Sequence, residues 1–473
     1  MSETSLKKAV GPNLLLLFVL GDVLGAGIYT LIGEVSGRVG GAVWIPLGVA
    51  FLFAVLTAFS YAELVTKYPR AGGAAVFAQR AYGRPLVSFL VGFCMLAAGV
   101  TSAASLARAF AGDYLGEFVD LPVAPVAVGF LVLIALLNAR GIKDSLRANV
   151  AMTCVELSGL LLVVVLGAAI LFSGDGFPDQ AVSLPAGAGV GAVFAASVVA
   201  FYSYVGFETS ANLAEETADP RRSYPKALLG GLAIAGVLYL LVGLAVSVAV
   251  PVGALSSGSG PLLEVVRAAP FSVPPRLFSL IALLAVGNGA LLTMIMASRL
   301  AYGMGRERLL PAPVTQVLPG RATPAVAIVA TTLVAVVLVL TGDLAGLAET
   351  TVLLLLFVFL STNLAVLVLR RSPVSHDHFR APLVLPVGGI VVCLALLTQQ
   401  SAGTWLRAGL LIVLGVVLYA VNRLVQRRLP ADGPAYADGP GDADADAGTT
   451  AGRAGEPRQT STDGKRAPGT IGG

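Results

Sequence analysis

The apolar residues of this chain gather into long blocks joined by short polar links, with little of the half-exposed periodicity of a surface helix. About 20 apolar residues in a helix cross about 30 Å of hydrocarbon. Twelve blocks come near that length: 14–32, 41–63, 86–110, 121–137, 148–172, 189–214, 227–250, 277–302, 325–340, 347–369, 383–399 and 406–425. Those at 121–137, 325–340 and 383–399 are the shortest. The pattern predicts an all-α integral membrane protein with twelve transmembrane helices.

Composition strengthens that expectation. Of 473 residues, 56% are hydrophobic and 12% charged, and the mean hydropathy is +0.85, more apolar surface than a soluble fold of this length buries. The links set the orientation, because Lys and Arg stay on the cytoplasmic side. With a cytoplasmic N-terminus, inward links hold Lys67, Arg70, Arg80, Arg84, Arg140, Lys143, Arg221, Arg222, Lys226, Arg370 and Arg371 among others. The outward side and its helix ends receive Arg38, Arg108, Arg267, Arg276 and Arg407. Losing one span would scramble this alternation, so both termini are expected in the cytoplasm and the chain in the plasma (inner) membrane. The first block is expected to stay as an anchor and not to be cleaved.

Other features change the picture less. The pI near 9.0 follows from one-sided basic loops and implies no nucleic acid partner. Cys94, Cys154 and Cys393 all lie in apolar blocks and read as small fillers. His376 and His378 stand alone in an inward link, too few ligands for a metal site. From 430 to 473 the chain turns to Asp, Gly, Ala, Pro and Thr, cannot bury a core, and is expected to be a disordered cytoplasmic tail.

Two blocks are interrupted. "GDVLGAGIYTLIG", Gly21 to Gly33, places four glycines and an aspartate inside the first. Five blocks later the sixth reads "FYSYVGFETSANL", with Gly206 and Glu208 at its middle and Ser203, Thr209 and Ser210 around them. Backbone that leaves a helix at membrane depth survives only where it lines a cavity or is covered by protein. Broken helices at matching positions of two five-helix halves point to an inverted-repeat transporter with its site between them. The expected organisation is an N-terminal arm, 1–13; a first repeat, 14–173; a second, 187–370; two appended helices, 383–426; and the tail. An odd number of spans per repeat turns the second upside down relative to the first.

The same stretches carry a resemblance. "GAGIY" at 25–29, "SYAEL" at 60–64, "YPRAGG" at 68–73 and "GFETSANLAEETADPRRSYPKA" at 206–227 occur in order. "SRLAYGMGRERLLP" at 298–311 and "FRAPLVLP" at 379–386 follow them. In these blocks the chain resembles the amino acid-polyamine-organocation (APC) superfamily of amino acid permeases, whose fold is LeuT-like, and the tail lies outside the match. The resemblance implies an amino acid held largely by backbone. Its carboxylate would sit at the N–H groups of Ala26, Gly27 and Ile28, where the second half-helix begins with its positive end. Its ammonium would meet carbonyls near Val23, Tyr202 and Val205. Gly27 is expected because a side chain would hold substrate off the backbone. Tyr202, four residues before Gly206, matches the family's aromatic gate; an ordinary core aromatic is the alternative, with Phe201 the gate if the register slips by one. Walls from spans three, eight and ten are drawn from Gly99, Thr101, Ser102, Asn288, Thr293 and Ser298.

Acids within the bilayer are costly and mark functional positions. Asp22, Glu156 and Glu208 are therefore the coupling candidates. Asp22 could brace the break or titrate. Glu208 matches the family's acid in the sixth helix, as a structural brace or a pH-sensitive group. Glu156 occupies the helix-five position where related permeases carry a lysine, and a carboxylate cannot serve as that fixed cation; proton linkage, a structural role and a cation ligand all remain open. The chain has no HExxH or nucleophile elbow, so no enzyme is expected. The expectation is a secondary active transporter working by alternating access, needing no cofactor and driven by an ion gradient, H+ first. Obligate exchange of amino acids or polyamines is the alternative, and a non-transporting amino acid sensor the third.

Overall fold

The structure, a computed structural model, describes residues 10–25, 27–69, 73–140, 145–185, 187–214, 217–256, 260–307, 309–318 and 323–428. Ala26, Glu215, Glu216, the arm as far as residue 9 and the tail at 430–473 lie outside the described residues.

Every apolar block coincides with helix. The first divides into α1 (Pro12–Val23) and α2 (Gly27–Val39), bent against each other. Then come α3 (Trp44–Lys67), α4 (Gly73–Tyr82), α5 (Pro85–Phe110), α6 (Asp113–Gly116), α7 (Val123–Arg140) and α8 (Ser145–Ser173). The sixth block is α9 (Val190–Phe201) followed by two 3₁₀ segments, Tyr202–Tyr204 and Phe207–Leu213. After it lie α10 (Pro220–Ala249), α11 (Val252–Leu255), α12 (Pro261–Ala268), α13 (Pro275–Arg306) and α14 (Ala325–Thr341). The series ends with α15 (Leu344–Leu369), α16 (Val384–Thr398) and α17 (Ala402–Arg428). Among the described residues no strand forms, and one isolated bridge joins Val10 to Thr217.

Nine of these helices, with the sixth block taken whole, are long and apolar enough to cross a membrane, ten if α1 and α2 count as one span. The blocks at 325–340 and 383–399 form the shorter α14 and α16, of 17 and 15 residues. The sequence reading missed α4 and α12, whose mixed sequences are too short and polar to stand out by hydropathy. It also started α10 seven residues late. The polar turn after Asp219 is helical, and Pro220 opens it at a position where a missing N–H costs nothing.

Lipid gives helices no hydrophobic reason to associate, so small residues that allow close approach decide the packing. A Cβ on Gly167 would lie 2.5 Å from that of Ala245, locking α8 to α10, and one on Gly243 would lie 2.9 Å from Leu47 of α3. Helix α5 is the hub, flanked by α13, α14 and α15. Helix α15 is pinned near both ends by ion pairs. Near its start Glu349 meets Arg38 of α2, whose guanidinium also donates to the Ala195 carbonyl of α9 at 2.9 Å. Just past its end Arg370 holds the buried Glu63 of α3 through two bonds of 2.8 and 2.6 Å. The unit Met1–Arg423 is compact; in the other, Leu424–Gly473, the description ends with α17 at Arg428.

Candidate functional site

The two interrupted segments meet and fit into each other. Gly206 has φ of 128°, which favours glycine, and a Cβ there would lie 2.5 Å from the Asp22 carbonyl oxygen. Reciprocally, a Cβ on Gly27 would lie 2.8 Å from the Ser203 Cα and 3.1 Å from the Tyr202 ring. Each break's glycine is thus pressed against the other break's backbone. Gly27 therefore has a second reason for its identity besides leaving room for a substrate. A side-chain bond from the Thr209 hydroxyl to Asp22 Oδ2 joins the breaks as well.

A cavity of about 90 Å³ opens against this junction. One water needs about 10–15 Å³ on the same measure, so a small zwitterion fits. The break side supplies Gly21 to Val23, Gly25, Gly27, Tyr202, Ser203, Val205, Gly206, Glu208, Thr209 and Asn212. The rest comes from α5, α13 and α15, Gly99, Ser102 and Thr293 among them.

The candidate residues sort clearly. Val23, Gly27, Tyr202, Val205 and Gly206 line the cavity, as do Asp22 and Glu208. Ile28 is fully buried behind it, and Ala26 lies outside the described residues. The Val23 carbonyl already accepts the Tyr239 hydroxyl at 2.6 Å, which leaves it one lone pair. The Tyr202 carbonyl accepts the Val205 N–H at 3.2 Å. The Tyr202 hydroxyl shares a 2.8 Å hydrogen bond with that of Ser102, tying the sixth segment to α5 across the cavity. Phe201 instead packs edge-on against Phe359, away from the cavity lining. Thr101, Asn288 and Ser298 also fall outside the lining: Thr101 donates to its own helix, and Asn138 donates to Ser298 at 3.1 Å.

Glu156 stands behind the cavity, in α8. Its Oε1 accepts from Asn288 Nδ2 at 3.1 Å, while the buried Oε2 has no partner among the described residues. Its carbonyl accepts the Tyr29 hydroxyl at 2.7 Å, so α8 is bonded to α2 two residues past Gly27. Asn149 and Thr153 lie on the same face of α8. Both Asn149 amide atoms are buried without partners among the described residues, and Thr153 meets Gly21. His376 and His378 sit with ring centroids 6.5 Å apart, and burial holds His378 below the usual imidazole range. Among the described residues no group of three His, Cys, Asp or Glu is placed to hold a metal.

Chemically, the junction is a dipolar cradle. The first turn of α2 leaves its N–H groups without intrahelical partners and contains no acid to fill that positive end. The corresponding donor at the sixth break is taken, because Gly206 N–H donates to Glu208 Oε2 at 2.9 Å. An anion therefore has one place to go, beside two carboxylates that suit a cation.

The sequence profile of the amino acid permease family matches residues 14–418. The branched-chain amino acid permease BcaP of Bacillus subtilis is 27% identical over 88% of this chain and 93% of its own length. The methylthioribose transporter of the same organism is 26% identical with the same coverage. The human cationic amino acid transporter 4 is 28% identical over 78% of this chain and 61% of its own length. These relatives are named as permeases and transporters, and the chain, an all-α multi-pass membrane protein of APC type, belongs to the amino acid permease family.

Proposed function

We propose that this protein is a secondary active transporter that takes up an amino acid with protons by alternating access. It would span the plasma (inner) membrane twelve times with both termini cytoplasmic. The two repeats, 14–173 and 187–370, each contribute one break to the junction about which alternating access would turn. The observation that carries the proposal is the interlocked pair of breaks lining a cavity, with the acid-free first turn of α2 beside Asp22 and Glu208. A substrate carboxylate belongs at Gly27, and an ammonium group at the remaining carbonyl lone pairs and Asp22, while Glu208 caps the second break.

The gate is the Tyr202 ring, held closed by Ser102. Coupling is assigned to Glu156. An acid with one bonded oxygen and one unpartnered oxygen at membrane depth gains from carrying a proton, which supplies a donor and removes the charge. Its link to Tyr29 ties that event to α2. A proton entering with about 100 mV gains about 2.3 kcal/mol, and one pH unit adds about 1.4, together several-hundred-fold accumulation of a neutral solute.

The test is uptake of an amino acid mixture by proteoliposomes, with and without an inward proton gradient, into empty or amino-acid-loaded vesicles. Accumulation into empty vesicles supports a proton symporter, and Glu156→Gln should then abolish the response to the gradient while exchange between loaded vesicles persists. Uptake only into loaded vesicles makes the protein an exchanger and Glu156 structural. Binding without uptake makes it a sensor.

A further inference from the structure

The cavity has two chemically distinct walls. Among the described residues its only charged lining residues, Asp22 and Glu208, both lie on the wall made by the breaks. They share that wall with the α2 N-terminus, where the carboxylate and ammonium of an amino acid are placed. The other wall comes from α5 and α13, and its larger members are Met95, Leu106, Leu292, Met296 and Leu300, with Ala98 and Ala297 among them.

The few polar groups on that side are already engaged. Thr293 donates its hydroxyl to its own helix, at 2.9 Å from the Gly289 carbonyl. Ser102 shares its hydroxyl with Tyr202. Thr351 of α15 donates to the Leu347 carbonyl at 3.1 Å. A substrate whose charged end occupies the breaks thus turns its side chain toward methylenes, thioethers and methyl groups. A charged side chain would lose its hydration there with no opposite charge in return.

From this wall we infer the substrate class: a neutral amino acid with an aliphatic or thioether side chain, bound with that side chain between α5 and α13, and not a cationic one. The inference rests on the amino acid reading above and narrows it. Two methionines suit the pocket to several branched shapes, because their thioethers repack at small cost. Gly99 sets the depth. A Cβ there would already touch that of Ala297 at 3.4 Å, so a branched side chain at this position would press on the lining the two residues share.

The test is uptake of labelled leucine, methionine, alanine, lysine and arginine by proteoliposomes of the full chain, for the wild type and for Met296→Asp and Gly99→Val. Each buried methylene should contribute about fourfold, so leucine should exceed alanine by tens of fold, and lysine and arginine should trail leucine by at least about a hundredfold. Met296→Asp should lose leucine and gain lysine or arginine, while Gly99→Val should lose leucine before alanine. Wild-type uptake of lysine or arginine equal to leucine overturns the inference and leaves the amino acid reading standing. Unchanged selectivity in both variants overturns it in the same way. Failure of the wild type to carry any of the five overturns the inference, and failure with the full amino acid mixture overturns the reading it rests on.

Discussion

The two breaks do the same thing, opening a helix at membrane depth, by different means. The first is short: three residues, 24–26, separate α1 from α2, and α2 resumes at once as regular helix. The second is long, running through two 3₁₀ segments and a glycine at φ of 128° before α10. The first leaves its new N-terminus without an acid, whereas the second fills its own with Glu208. Two breaks of one kind would give two anion sites; these give one, with carboxylates on the other side of it. A zwitterion is thereby oriented by asymmetry in the backbone, before any side-chain pocket acts on it.

That asymmetry can be broken at three points. The largest effect is expected for Gly206→Ala, which forces an L-residue into a glycine conformation, at a cost of about 1–3 kcal/mol, and sets a Cβ 2.5 Å from the Asp22 carbonyl. Transport should fall to background and the thermal midpoint of the detergent-solubilised protein should drop. Gly27→Ala should cost less, since its backbone is helical and the offences are the close approaches to Ser203, at 2.8 Å, and to the Tyr202 ring, at 3.1 Å. A rise in half-saturation of about tenfold, the effect of about 1.4 kcal/mol, with expression unchanged, is the expected result. The smallest effect should come from Glu208→Gln, which keeps an oxygen to accept the Gly206 N–H. Substrate affinity should stay within about threefold, or about 0.7 kcal/mol; a larger loss would make the charge, not the cap, the function of Glu208.

How much of this the sequence discloses depends on the kind of signal. The spans are legible because lipid demands about 20 apolar residues in a row, and the breaks because Gly and Asp are conspicuous in such a run. Tyr202, Gly206 and Glu208 follow from the second break, and all three line the cavity. The α5 and α13 wall is another matter. Met95, Ala98, Gly99, Ser102 and Leu106 fall on one face of α5 by helical spacing, as do Leu292, Thr293, Met296 and Leu300 on α13. In a soluble helix that face would show against polar neighbours. In lipid the outward face is apolar too, so periodicity cannot say which face meets the cavity, and Thr101, Asn288 and Ser298 were as eligible as Ser102. The reciprocal contacts of Gly27 with Ser203 and of Gly206 with Asp22 join positions far apart in the chain and leave no local trace.

The buried pair of Glu63 and Arg370 has a consequence in time. The two residues are 307 positions apart, and at about 5–20 residues per second of synthesis the acid exists for roughly 15 to 60 s before its partner is made. During that interval α3 carries a carboxylate that the finished protein leaves 1% exposed, and water, a proton, the insertion machinery or Lys67 one turn on must satisfy it. Helix α3 can therefore reach the membrane early but cannot settle early. Its final seating waits for the end of α15, which makes closure of the bundle a late event in the birth of the molecule.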